Sequence, residues 1–362
     1  MISKLSHLFN RKKKFDDYKR IVIFRVDYLG DAVMNTALIS AVRSTFPNAE
    51  ITLVAENFIA ELINHDCNID NTIGVCKKVS ITKWLKIIKS LLNNNYDLVL
   101  DVTSRWWTII YGTLSIFKAR RYDRDSLMIG GVIKRNYLVY TGHYEREYKR
   151  EHDVVRALRL IEEFYDINNI PEIYFPLPEN NNELFSDISE KYKLSSKNYF
   201  IVVPGSQWEV RRWNINKFAD AAIEISKRYN LQIVITGIPS EIEICEQLNV
   251  LIGADALNLA GKLNINEFIS VLNNSKLLIG NDSGPAHVAA GLKIPVVAVM
   301  GTADVEVFKP WGDMVRVCYR EVLCGPCYSG KCYMPQNLCL QPVIVDEVVG
   351  AADELLKLYK SK

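Results

Sequence analysis

The sequence holds no run near the ~18 consecutive apolar residues that a membrane-spanning helix needs. Met1 to Lys14 also lacks the apolar core, about 7–15 residues long, of a signal peptide. An excess of one charge is missing too: 44 Lys and Arg stand against 42 Asp and Glu, for a net charge of +2. That balance disfavours dedicated nucleic-acid binding, and no nucleic-acid partner is expected. No Gly-x-Gly-x-x-Gly turn is present, which argues against nicotinamide chemistry. No repeat of solenoid period is present either.

What is there is an ordinary globular composition: 362 residues, 49% apolar and 24% charged. The length suggests about two domains. The chain reads as cytoplasmic, with its eight cysteines as reduced thiols or metal ligands. The first twenty residues carry Lys4, Arg11, Lys12, Lys13, Lys14, Lys19 and Arg20 against Asp16 and Asp17. With Ile2, Leu5 and Phe9 near helical spacing, this segment reads either as a solvated terminus or as a contact with an anionic membrane surface.

Short β-branched runs alternate with amphipathic stretches along the rest of the chain. The strand-like runs are Ile21–Val26, Ile51–Ala55, Leu98–Thr103, Tyr199–Pro204, Leu231–Gly237, Leu277–Gly280 and Val296–Gly301. Ala32–Thr45 and Asn216–Tyr229 have helical spacing. Strands apolar on both faces imply parallel sheets covered by helices. The expected organisation is a basic segment at 1–20, a first domain at 21–175 and a linker at 176–198. A second domain follows at 199–342, with a Cys-rich loop at 324–339, then a C-terminal helix at 343–362. Two doubly wound domains with a ligand cleft beyond their strand ends is the simplest architecture.

Four segments could carry chemistry. The first strand runs into Arg25-Val26-Asp27-Tyr28-Leu29-Gly30-Asp31, where Asp31 falls in the first turn of a helix. An Asp there is favoured by the helix dipole alone, by about 0.3–1 kcal/mol, or it serves as a general base. Gly205-Ser206 with Arg211 and Arg212 can hold a diphosphate, because guanidinium forks match phosphate oxygens. Trp213 beside them reads as core packing. Asn281-Asp282-Ser283-Gly284-Pro285-x-His287 ends a buried strand and opens a helix whose first amides can face an anion. His287 reads equally as a ligand contact or as a satisfied core histidine. Cys324, Cys327, Cys332 and Cys339 form a candidate structural zinc site, or a loop of free thiols. Asp123-Arg124-Asp125 reads as a charge-paired loop rather than a metal site.

Taken in order, these segments resemble glycosyltransferase family nine, the lipopolysaccharide heptosyltransferase family. The resemblance runs from about Ile21 to Leu356 and fades between Ile73 and Glu147. It is carried by Arg25-x4-Gly30-Asp31-x4-Thr36 with Phe46-Pro47, by Pro204-Gly205-Ser206 with Trp213, and by Asn281 to His287 followed by Ala289-Ala290. The Cys-x2-Cys tail also occurs in many members.

The resemblance implies a GT-B fold: two Rossmann-like doubly wound parallel-sheet domains facing a central cleft, acceptor on the first, nucleotide sugar on the second. It implies an inverting, metal-independent transfer with no required cofactor. ADP-heptose is the default donor, and a lipid-linked glycan of the lipopolysaccharide core is the acceptor, met at the inner face of the cytoplasmic membrane. The family's base falls on Asp31, beside Gly30. Its donor-loop hydroxyl positions fall on Ser206 and Gln207, the latter a departure from a small residue. Its phosphate-binding lysine is replaced by Arg211. Ribose binding falls on Glu241, the base contact on Leu263, and sugar and diphosphate binding on Asp282, Ser283, Gly284 and His287. Arg105, Arg120, Arg121, Lys134 and Arg135 are candidates to meet acceptor phosphates. The alternatives on this fold are a nucleotide-sugar epimerase or hydrolase, and a non-catalytic nucleotide-sugar-binding protein.

Overall fold

The computed structural model describes residues 18–26, 28–76, 81–103, 111, 127–131, 142–144, 150–334 and 337–360. The chain divides into two compact units, Met1–Glu172 and Ile173–Lys362. Each is built on one six-stranded sheet.

In the first unit the strands are β1 (Arg20–Arg25), β2 (Glu50–Glu56), β3 (Asn71–Val75), β4 (Leu98–Asp101), β5 (Leu127–Gly131) and β6 (Gly142–Tyr144). Their spatial order is β3-β2-β1-β4-β5-β6, and every pair is parallel. The second unit repeats the plan with β7 (Tyr199–Val203), β8 (Gln232–Ile235), β9 (Ala256–Asn258), β10 (Leu278–Asn281), β11 (Val296–Val299) and β12 (Val315–Cys318). Its order is β12-β11-β10-β7-β8-β9, again all parallel.

In both sheets the chain walks outward over three strands, then returns to pair with the other side of the strand it started from. The order therefore reverses between β1 and β4, and between β7 and β10. At such a point neighbouring loops leave the carboxyl ends of the strands in opposite directions and open a crevice.

The central strands are apolar on both faces because helices cover both faces. All five residues of β7 are buried, as are five of the six in β1. Val22 and Phe24 of β1 pack with Trp84, Ile88 and Leu91 of the helix Ile81–Asn94. In the second unit Trp213 is core, as its sequence context suggests: it is 1% exposed, lies edge-on to Phe218 and donates Nε1–H to the Val343 carbonyl.

Several expectations are corrected. The helix foreseen at Ala32–Thr45 is two helices, Leu29–Met34 and Thr36–Thr45. The chain breaks at buried Asn35, whose Nδ2 donates to the Asp31 carbonyl, while Thr36 Oγ1 donates to the Val33 carbonyl. These local side-chain bonds compete with the helical ladder. Residues 176–198, expected as the linker between the domains, are built largely of helix. They include the helix Asn181–Tyr192, which packs on the helix Ile265–Asn273 and accepts a bond from Ser270 Oγ at the Asn181 carbonyl. The C-terminal helix Val345–Lys360 belongs to the second unit's core, where Val348, Val349, Ala352, Leu355 and Leu356 are buried. Residues 1–17, Arg105, Arg120, Arg121, Asp123–Asp125, Lys134 and Arg135 lie outside the described residues. No helix of the described residues is long and apolar enough to cross a membrane.

The four cysteines offered as a zinc site or a loop of free thiols differ in exposure. Cys324, Cys327 and Cys332 are exposed and Cys339 is buried. The Cys339 thiol packs under Gly301, where a Cβ would sit 2.8 Å from its sulfur, and donates to Asn337 Oδ1 at 3.0 Å. Packing therefore aims this sulfur at the core. Among the described residues no three His, Cys, Asp or Glu side chains converge on a metal position.

Leu355→Ala is expected to cost about 2–5 kcal/mol of folding stability, read by thermal or denaturant unfolding, because it leaves a cavity in the second unit. Thiol labelling should separate the cysteines. Burial pushes Cys245 and Cys318 up to about 12, so few thiolates form there. Cys67, Cys324, Cys327 and Cys332 should react with a disulfide reagent in the native protein, and Cys245 and Cys318 only after unfolding. Loop thiols that become reactive only with a chelator would restore the metal reading.

Candidate active site

In the first unit the switch point brings together the end of β1 and the end of β4. Arg25, the last residue of β1, is 6% exposed. Its Nη2 donates to Asp153 Oδ2 at 2.9 Å and lies 3.4 Å from Asp31 Oδ1. Asp31 Oδ2 accepts the Tyr28 amide at 3.1 Å, so the carboxylate caps the helix Leu29–Met34 through its third residue. Asp31 thus has one face held by protein, and its side chain keeps 23% exposure. Gly30, one residue before it, is buried in the same turn. At the end of β4, Asp101 Oδ1 accepts the Thr103 amide and hydroxyl.

Asp153 had no signal in the sequence. It stands 128 positions from Arg25 and starts the helix Asp153–Leu158, behind the N-cap His152. A buried guanidinium placed between two carboxylates satisfies charge that neither could carry alone in that setting. It also fixes which way Asp31 points.

In the second unit the switch point is organised by Asn281, the last residue of β10 and fully buried. Its Nδ2 donates to the Pro204 carbonyl at 2.8 Å, and its Oδ1 accepts the Trp213 amide at 2.8 Å. The loop after β7 is thereby pinned to the end of β10. Ser206 follows, buried, with Oγ donating to the Asp282 carbonyl at 3.3 Å. Arg212 donates Nε and Nη2 to the Ser206 carbonyl.

Arg211 makes three contacts. Nη1 lies 2.9 Å from Asp282 Oδ2, Nε donates to Thr302 Oγ1 at 3.2 Å, and the guanidinium stacks 4.4 Å from the Trp208 ring centroid. The two arginines foreseen as a pair therefore do different work: Arg212 shapes the loop and Arg211 presents charge.

Glu241 comes to the same place through a close approach. A Cβ on Gly205 would lie 2.2 Å from Glu241 Cδ, so only glycine leaves room for this carboxylate. Its Oε2 also accepts the Ile238 amide. Leu263 is set by a neighbouring turn. Gly261 has φ of +69°, donates to the Gly237 carbonyl and leaves Leu263 half-buried. Ser283 is the N-cap of the helix Gly284–Gly291, with Pro285 in its first turn, and its Oγ donates to the Asn281 carbonyl. His287 lies one turn in and is 6% exposed.

The structure therefore joins Ser206, Arg211 and Asp282 by direct bonds, sets Glu241 over Gly205, and places Ser283 and Gly284 next in the chain after Asp282. Among the described residues those bonds do not extend to Gln207, which is exposed, or to Leu263.

Thr302, Trp208 and the Cys-rich loop were missed as parts of this arrangement. The amides of Cys327 and Tyr328 both donate to the Thr302 carbonyl, and Asn337 Nδ2 donates to the Val210 carbonyl. The loop is thus stitched to the two segments that carry Arg211. The sequence offered a faint cue in Gly301-Thr302, which directly follows the β11 segment.

A guanidinium, a helix start and a buried hydroxyl at one strand end make a polyanion cradle. In the first unit, taken by itself, Asp31 presents a partly exposed carboxylate, a group that can take a proton.

Comparison with known proteins agrees. The family model for glycosyltransferase family 9 (heptosyltransferase) matches residues 84–337. Lipopolysaccharide heptosyltransferase 3 of Escherichia coli K12 is 24% identical over 306 residues, 80% of this chain and 84% of the relative. Lipooligosaccharide heptosyltransferase 2 of Campylobacter jejuni serotype O:2 is 23% identical over 352 residues, 93% of this chain and 98% of the relative. Among solved structures, the family 9 glycosyl transferase of Veillonella parvula superposes with a TM-score of 0.80 at 21% identity, covering 94% of this chain and 97% of that one. The ADP-heptose heptosyltransferase II of E. coli gives 0.73 at 19% identity, covering 94% and 99%. These two establish the fold as GT-B, and with the match of the family model over residues 84–337 the chain belongs to glycosyltransferase family 9, the heptosyltransferases.

Proposed function

We propose that the protein is an inverting glycosyltransferase that moves a heptose from ADP-heptose onto a lipopolysaccharide-core or related surface-glycan acceptor. The observation that carries this reading is the Arg211–Asp282–Ser206 cluster at the second switch point, together with the helix that Ser283 starts. The names of the relatives supply the sugar: several are heptosyltransferases, and one solved neighbour is described as holding ADP.

In this mechanism the acceptor hydroxyl oxygen attacks the anomeric carbon from the face opposite the diphosphate. One C–O bond forms as the bond to the diphosphate breaks, and configuration inverts. Asp31 takes the hydroxyl proton. Its carboxylate fits a base because Arg25 and the Tyr28 amide hold one side of it while the other stays accessible. The charge that develops on the leaving nucleotide is met by Arg211 and by the first amides of the helix Gly284–Gly291. Both charges are in place before the reaction, so no reorganisation is needed as the bond breaks. Glu241 and Leu263 would hold ribose and base, while Asp282 and His287 would face the sugar and diphosphate. No divalent ion is required in this scheme.

Asp31→Asn is expected to lower transfer by about 10²–10⁴-fold while donor affinity by calorimetry stays within a few-fold. Equal loss of donor binding would make Asp31 structural. Arg211→Ala should weaken ADP-heptose binding by tenfold or more, because a charged fork on a diphosphate is lost. The readout is the donor concentration needed to raise the thermal midpoint. Ligand at 100 times its dissociation constant adds ~2.7 kcal/mol to wild-type stability. An unchanged donor requirement in Arg211→Ala would remove Arg211 from the site. Product analysis with donor alone separates transfer from hydrolysis or epimerisation, since a transferase turns over slowly without acceptor.

A further inference from the structure

The helix Ile81–Asn94 in the first unit spends its apolar residues on two faces. Trp84, Ile88 and Leu91 are buried in the core against β1. Ile81 and Leu85 are not: they are 71% and 56% exposed. They stand four residues apart, so they share one line along the helix, and exposed Lys89 continues that line. Exposed Lys86 flanks it.

The surrounding sequence has one charge sign. Residues 71–96 contain Lys77, Lys78, Lys83, Lys86 and Lys89 and no Asp or Glu. A second exposed apolar patch offers a contrast. On the second unit Ile242, Val250 and Leu251 line a cavity of about 660 Å³ together with Glu243 and Glu246. That patch carries the wrong sign for an anionic surface, whereas the helix Ile81–Asn94 carries the right one.

We propose that the outer face of the helix Ile81–Asn94 docks on an anionic lipid bilayer, with Ile81 and Leu85 entering the headgroup–acyl boundary and Lys86 and Lys89 meeting lipid phosphates. Lysine suits this role because its stem lies along apolar surface while its ammonium reaches outward. A helix that buries one apolar row and surrounds it with basic residues lies in the plane of the interface. The attraction is screened by salt over about a Debye length. The docking rests on this helix alone. Its consequence, that the first domain meets a lipid-linked acceptor at the membrane, rests on the transferase reading above.

The test is flotation of the full-length protein with vesicles of phosphatidylcholine alone or mixed with phosphatidylglycerol, with no donor or acceptor present. Its failure is thus separate from any failure of the transferase reading. The wild type should float with the anionic vesicles, fall away as salt is raised, and stay behind with neutral ones. Lys86→Glu with Lys89→Glu should cut anionic partition by about tenfold or more, and Ile81→Ser with Leu85→Ser should also reduce it. Unchanged circular dichroism and melting in both variants would show that folding is intact, as expected for exposed positions. The inference is overturned if the wild type does not bind, if neutral vesicles bind equally, or if both variants float like wild type, which would place binding elsewhere, such as in residues 1–20. It is also overturned if light scattering shows the wild type as a dimer that the variants break, since the face would then cover a second copy.

Discussion

The second domain turns on the carboxamide of Asn281. Buried at the end of β10, it donates to the Pro204 carbonyl and accepts the Trp213 amide, joining segments about seventy residues apart. Without it two backbone groups at the floor of the crevice would lose their partners, at roughly 1–3 kcal/mol for each group left unsatisfied. With it, the loop after β7 is held where Ser206 reaches the Asp282 carbonyl and Arg211 reaches the Asp282 carboxylate. Trp213, whose amide is one of the two anchors, drives its ring into the core. The loop is thus fixed from below by packing and from the side by hydrogen bonds.

The first domain solves the same topological problem with charge. Arg25 occupies the place in β1 from which a side chain can reach both the following helix and the helix Asp153–Leu158. A neutral amide such as Asn281 can satisfy backbone groups, but it cannot orient a carboxylate as a guanidinium does. The two sheets therefore share a strand order and differ in what sits at the reversal: one end holds a carboxylate against a buried guanidinium, the other gathers a guanidinium and backbone amides. The Cys-rich loop belongs to the second of these tasks. It supports Thr302, and through it Arg211, by two backbone bonds, and its one buried cysteine, Cys339, packs into the second unit's core.

The alternation of apolar runs and amphipathic stretches made the doubly wound plan legible, because strands buried on both faces need continuous apolar sequence. β1, β2, β4, β7, β8, β10 and β11 are all visible this way. β3, β5, β6, β9 and β12 were not: Asn71–Val75 and Val315–Cys318 are mostly half-exposed, and β3, β6, β9 and β12 lie at sheet edges, where a strand has little pattern to show. The helical spacing of Ala32–Thr45 was legible too, but not its break at Asn35, which depends on two side chains bonding backward to carbonyls of the preceding turn. Residues 176–198 looked like a linker because prolines and asparagines precede the helix Asn181–Tyr192; its packing partner lies some eighty residues further on.

Local sequence by itself determined the strand cores, the glycine turns at Gly205 and Gly261, the helix start at Ser283–Gly284–Pro285, and the placement of Asp31 in a first helical turn. These follow from backbone sterics and burial within a few residues. Tertiary structure alone decided which charges meet. That Asp153 finds Arg25, that Arg211 is shared among Asp282, Thr302 and Trp208, that Glu241 lies over Gly205, and that Cys339 packs under Gly301 all depend on strand order. Strand order is set by the packing of whole helices on whole sheets, and no short window of sequence carries it.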